Sequence, residues 1–169
     1  DDCSSRGLGD VYKRQPEVGD IGYVHGFPQG VEADREQQFI GSDWGKYQGD
    51  PRRYKWDVWA GRSASGLSIR EHWGGSSGGP VLNDLGQLVG VNVGGNPRRG
   101  TTLSISVREL AEFLNQNSIR FSYSGESGFS ERIKEESYPR YGKQLRDEGV
   151  VSLIACNRTS RQIGALGLF

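Results

Sequence analysis

Gly74-Gly75-Ser76-Ser77-Gly78-Gly79-Pro80 is the stretch of this chain whose residue types can do covalent chemistry. A serine hydroxyl is a poor nucleophile until a neighbouring base takes its proton. Its attack on a carbonyl also needs backbone N–H groups aimed at the oxygen that becomes an oxyanion. Glycines on both sides of Ser77 suit this need. They let the chain turn tightly, expose Oγ and bring two amides to one point without side-chain obstruction. The run Gly75 to Gly79 also fits G-x-S-x-G, the nucleophile elbow between a strand and a helix, but an elbow demands a helix directly after the serine. Gly78, Gly79 and Pro80 follow here, and then an apolar hairpin, which is the wrong context. A glycine-rich β-turn with two incidental serines is the plain alternative.

The elements around this stretch read as strands. Val18, Ile21, Tyr23 and His25 stand in near alternation between Gly19-Asp20 and Pro28-Gln29-Gly30. Residues 35–42 and 54–60 are further aromatic and β-branched candidates, and Gly66 introduces LSIR at 67–70. PVLN and QLVGVNV flank Asn83-Asp84-Leu85-Gly86, a good hairpin signal. TTLSISV at 101–107 makes one more strand. Ser106-Val107-Arg108-Glu109 then matches a capping box, and Val107, Leu110, Ala111 and Leu114 recur at helical spacing, ending near Asn115–Asn117. The expected fold is all-β: a six-stranded antiparallel barrel over 16–121 closed by a short helix. An irregular or helical extension over 122–169 follows, with a linker at 122–130 and Pro139 interrupting any long helix. Its end, from Gly149, turns apolar again, like a second unit cut short. Residues 1–15 have neither strand alternation nor helical period. They look like translated adapter or vector sequence, expected to add nothing to the fold.

Composition narrows the function. The 169 residues carry 21 basic and 21 acidic side chains, which argues against a global basic field for nucleic acid. No run approaches the length of a membrane span. Glycine, at 26 residues, fits short strands joined by tight turns. Cys3 and Cys156 at opposite ends make no disulfide framework. No His/Cys cluster has metal-ligand spacing, and no phosphate-cradling GxxxxGK[ST] occurs. Basic residues interleave the aromatic residues of 39–59, including Trp44 and Trp56, and barrel core alternating with solvated faces explains that pattern better than nucleic-acid stacking.

GSSGGPVLNDLGQLVGVNVGG resembles trypsin-like serine peptidases of the chymotrypsin fold, where Gly-x-Ser-Gly-Gly-Pro precedes a hairpin and a strand ending in glycines. VGDIGYVHGFPQG looks like the first strand of that family's C-terminal barrel, and TTLSISVRELAEFL like its last strand and closing helix. The resemblance covers roughly residues 16–121 and is greatest to the disulfide-poor bacterial branch. It implies that Ser77 is the nucleophile and that the amides of Gly75 and Ser77 form the oxyanion hole. It also implies that Val93, Gly94 and Gly95 form an edge strand for substrate backbone. Asn92 and Glu71 would lie near the primary specificity pocket, and a Glu71 carboxylate at its floor would favour Lys or Arg.

The family's histidine and aspartate come well before the second barrel. His25 and His72 come too late, so His25 is expected to be a half-buried strand residue and His72 a loop or pocket-lining one. Ser76 stands where relatives often have Asp or Asn, which puts the usual buried contact behind the oxyanion loop in question. The implied function is that of a serine endopeptidase fragment, inactive alone, with its His and Asp in a missing N-terminal barrel. Its partners would be a polypeptide substrate and that barrel, with no cofactor, metal, nucleic acid or membrane span. The alternative is a catalytically inactive homologue that binds peptides.

Overall fold

Six stretches of extended backbone carry the alternation the sequence predicts: β1 (Ile21–Gly26), β2 (Ala33–Gly45), β3 (Tyr54–Ser65), β4 (Pro80–Leu82), β5 (Leu88–Asn96) and β6 (Thr101–Ser106). In this computed structural model they close an antiparallel barrel in the order β1-β2-β3-β6-β5-β4. The structure describes residues 15–46, 49–121 and 129–154. Nearly all of the adapter-like leader, most of the linker, much of the apolar end and both cysteines lie outside the described residues.

Val24, Phe39, Trp59, Val81 and Val89 pack together in the core. Trp59 is fully buried, tilted against Phe39 at 5.1 Å, and its indole N–H donates to Ser104 Oγ at 2.8 Å. That bond removes the penalty of burying a polar N–H while the ring supplies apolar contact.

Residues 67–70, expected as a strand, form a turn. The Ser68 amide donates to the Glu71 carboxylate, the Glu71 amide to the Ser68 carbonyl at 3.1 Å, and the Trp73 indole N–H to that same carbonyl at 3.0 Å. Leu67 and Ile69 supply the alternation, but six other strands close the barrel and these residues are taken up by the turn around Ser68. The hairpin does follow its signal: Asn83 Oδ1 accepts from the amides of Leu85 and Gln87 at 3.0 and 2.9 Å.

Helix α1 (Val107–Gln116) starts on the expected capping box, with Ser106 Oγ accepting from the Glu109 amide and the Glu109 carboxylate from the Ser106 amide. Its buried Val107 and Ala111 turn toward β5 and β6. Replacing Ser106 by alanine leaves the Glu109 amide without its acceptor. It should lower stability by about 1 kcal/mol, read as a shift of the urea unfolding midpoint at constant slope.

Pro139 lies in the first turn of a second helix, α2 (Tyr138–Asp147), where its missing N–H costs nothing. This helix lies against β1 and β2. Tyr23 and Leu82 are covered by Ile133, Tyr138, Tyr141, Leu145 and Val151, with Tyr23 stacked on Tyr138 at 5.8 Å. Among the described residues no helix is long and apolar enough to cross a membrane.

Candidate active site

Residues 74–79 form the loop that enters β4. Consecutive turns bend it, with the Ser76 amide donating to Trp73 O at 3.3 Å and the Gly79 amide to Ser76 O at 3.1 Å. Two further bonds lash the loop to β5: Gly78 N–H to Asn92 O at 2.7 Å and Asn92 N–H to Gly79 O at 2.9 Å. Gly75 sits at φ +98°, and a Cβ there would fall 3.1 Å from Phe27 O and 3.2 Å from Gln29 N. Both the backbone angle and the space therefore require glycine.

The two serines point to opposite environments. Ser76 is buried; its hydroxyl donates to Trp73 O at 2.7 Å and accepts from Asn92 Nδ2 at 2.8 Å. Asn92 Nδ2 also reaches Ser76 O at 3.1 Å. The contact behind the loop is thus a neutral Ser76–Asn92 pair. Ser77 is exposed, and its hydroxyl donates to Val93 O at 3.2 Å. Among the described residues, the amides of Gly75 and Ser77 have no hydrogen-bond acceptor. The bend therefore presents a solvent-facing hydroxyl next to two unused main-chain donors.

A cleft of about 210 Å³ opens beside Ser77, walled by Glu71, His72, Trp73, Gly94, Gly95 and Arg35. Gly94 and Gly95 belong to the stretch of β5 that follows a bulge between Asn92 and Gly94. This stretch pairs with β6 on one side, and among the described residues no strand pairs with it on the other. A Cβ on Gly94 would meet nothing within 4 Å, whereas one on Gly95 would strike Thr101 O at 2.5 Å.

The remaining expected residues take up different places. Asn92 is buried behind the serine loop and is absent from the cleft wall. Glu71 is exposed with its carboxylate turned onto the Ser68 amide, so it forms part of the rim and not a buried floor. His72 lines the cleft as expected; its Nδ1 accepts from the Gly74 amide at 3.0 Å.

His25 is fully buried, not half-buried, and joins a cluster of buried charged side chains. Its Nδ1 bonds Asp34 Oδ1 at 2.9 Å, and Arg146 of α2 grips both Asp34 oxygens at 2.7 and 3.0 Å. A Cβ on Gly142 would come 1.9 Å from Asp34 Oδ1, so glycine alone allows α2 to lie this close. Burial by itself would raise the Asp34 pKa, but the bonds from His25 and Arg146 hold its carboxyl below the usual range.

Sequence reasoning missed two residues. Arg146 stands 112 positions from its partner Asp34 and carries no local signal. Arg35 had one: it shares the alternation of Gln37 and Phe39, which puts a cation on the inward parity of β2.

No family model and no curated protein matches the chain. Among solved structures, it is similar to the Rv3671c protease from M. tuberculosis in its active form, with 18% identity over 67% of this chain and 49% of that one, at a TM-score of 0.49. The inactive form of the same protease gives 20% identity over 60% and 50%, at 0.47. The MamO protease domain from Magnetospirillum magneticum gives 15% identity over 63% and 52%, at 0.44. The chain spans about half the length of the structures it resembles.

The loop geometry makes a first prediction. Alanine at Gly75 would have to hold a strained angle and press on Phe27 O, displacing an amide. In a protein hydrolysing peptides through this loop, Gly75→Ala should lower kcat by about 10²–10³-fold with KM little changed. Steady-state kinetics would check it.

Proposed function

We propose that this chain carries the nucleophile barrel of a serine endopeptidase. One observation supports this most directly: the exposed Ser77 hydroxyl sits at a sharp bend with the unused Gly75 and Ser77 amides beside it and an open strand edge alongside. A substrate lying extended would add to β5 at Val93–Gly95. Ser77 Oγ would attack the scissile carbonyl and pass its proton to a histidine. The two amides would hold the oxyanion, and the tetrahedral adduct would collapse to an acyl-enzyme as the protonated amine leaves. Water would then free the acid and restore the hydroxyl.

This reading takes the base from outside this chain. His25 is buried with Asp34, and His72 Nδ1 is occupied by the Gly74 amide. We assign the base and its orienting carboxylate to a preceding barrel of the same protein, without which this chain is inactive.

The second reading, a peptide-binding module without turnover, rests on the Ser77 hydroxyl being given to Val93 O instead of to an imidazole. Fluorophosphonate treatment of the protein carrying both barrels, followed by mass spectrometry, separates the two. A phosphonyl adduct on the peptide containing Ser77 is expected. An unmodified serine in a protein that still binds extended peptides supports the module.

A further inference from the structure

The cleft beside Ser77 contains a buried cation with no anion to match it. Arg35 is only 2% exposed and lines the cleft wall. One guanidinium nitrogen, Nη2, donates to Gly100 O. The Trp73 ring covers the group at 5.3 Å, and Nε has no partner. Among the described residues, no carboxylate forms an ion pair with Arg35. Burial alone accounts for its pKa being lowered to about 10. A planar fork of donors held in low dielectric is the group best suited to grip a carboxylate through two parallel bonds. Buried Asp34 and Glu36, by contrast, each have an arginine. Among the described residues, Arg35 is a buried arginine without a carboxylate partner. Glu71, the one acidic side chain on the cleft wall, is exposed and committed to the Ser68 amide, so water screens it.

We propose that this cleft selects an acidic side chain, aspartate or glutamate, at the substrate residue preceding the scissile bond, with Arg35 as the specificity-determining residue. The inference rests on the cleft being the substrate pocket of the proposed peptidase. It reverses the basic preference that Glu71 alone would suggest.

The test uses the 169-residue chain and peptide amides, N-acetyl-Ala-Ala-Xaa-NH₂ with Xaa as Glu, Gln, Leu or Lys, which carry no other carboxylate. Binding is read by calorimetry, and the site by NMR shifts of the Gly94 and Gly95 amides. The Glu peptide should bind about 10–100-fold more tightly than its Gln isostere, with Lys weakest. Arg35→Met should remove the Glu-over-Gln preference while leaving Leu binding intact or improved. The wild-type Glu/Gln comparison stands even if the variant fails to fold.

Equal binding of Glu and Gln, a preference for Lys, no binding of any peptide, or a preference that survives Arg35→Met would each overturn the proposal. Fluorophosphonate labelling of Ser77 in the two-barrel protein is a separate readout. Labelling without acidic preference defeats only this inference; acidic preference without labelling defeats the peptidase reading and, with it, the assignment to the residue before a scissile bond, leaving an acid-selective peptide-binding cleft.

Discussion

If the proposed endopeptidase reading holds, Ser77→Ala in a protein carrying both barrels is expected to slow peptide hydrolysis on the order of 10⁶-fold, with peptide affinity and melting temperature almost unchanged. The size follows from the role proposed for the hydroxyl: without Oγ no acyl-enzyme could form, and the proposed oxyanion donors would have no tetrahedral intermediate to hold. The small effect on folding follows from its surroundings. Ser77 is exposed, and its side chain makes a single 3.2 Å bond, to Val93 O. Ser76, one residue earlier, supplies an internal control. Its hydroxyl joins Trp73 and Asn92 behind the loop, so Ser76→Ala should destabilise the fold and reduce rate only modestly. Progress curves for both variants, with thermal unfolding alongside, would decide the matter. Residual turnover of Ser77→Ala above the level set by the amides would place the nucleophile elsewhere.

The second large effect concerns stability. Arg146→Met removes both bonds to Asp34 and leaves a buried carboxylate beside His25. Breaking one side of a buried ion pair costs about 3–5 kcal/mol, so the urea midpoint should fall by a large fraction of its value. The pair also contributes to stability in acid. Asp34 has a lower pKa folded than unfolded, so near pH 4 the unfolded chain binds more protons than the folded one. Stability from this group is complete above the unfolded value of about 4 and is lost as pH falls through the folded one. In Arg146→Met the favourable bonds are reduced to the one from His25 while desolvation remains, so this acid dependence should shrink. Urea titrations at several pH values between 2 and 7 would show it.

Local signals were legible where the chemistry is local. The capping box at Ser106–Glu109, the turn at Asn83–Gly86 and the bend around Ser77 each place side chain and backbone within a few residues of one another. The barrel class followed from alternation, which fixes each side chain's face without fixing its partner. What stayed hidden is long-range. Whether Leu67 and Ile69 form a strand depends on long-range pairing, and six other strands close the barrel without them. His25 looked like an ordinary strand residue because Asp34 meets it across β1 and β2, and Arg146 arrives from a helix more than a hundred residues away. The charge of Arg35 was visible, but its lack of a counter-ion is a property of the packed interior and not of the text.

The close seating of α2 at Gly142 also bears on where this protein can be cut. A proteolytic or engineered boundary after Phe121 would strip Tyr138, Tyr141 and Leu145 from Tyr23 and Leu82 and take away the guanidinium that neutralises Asp34. A truncation that keeps these contacts therefore extends at least through Val151.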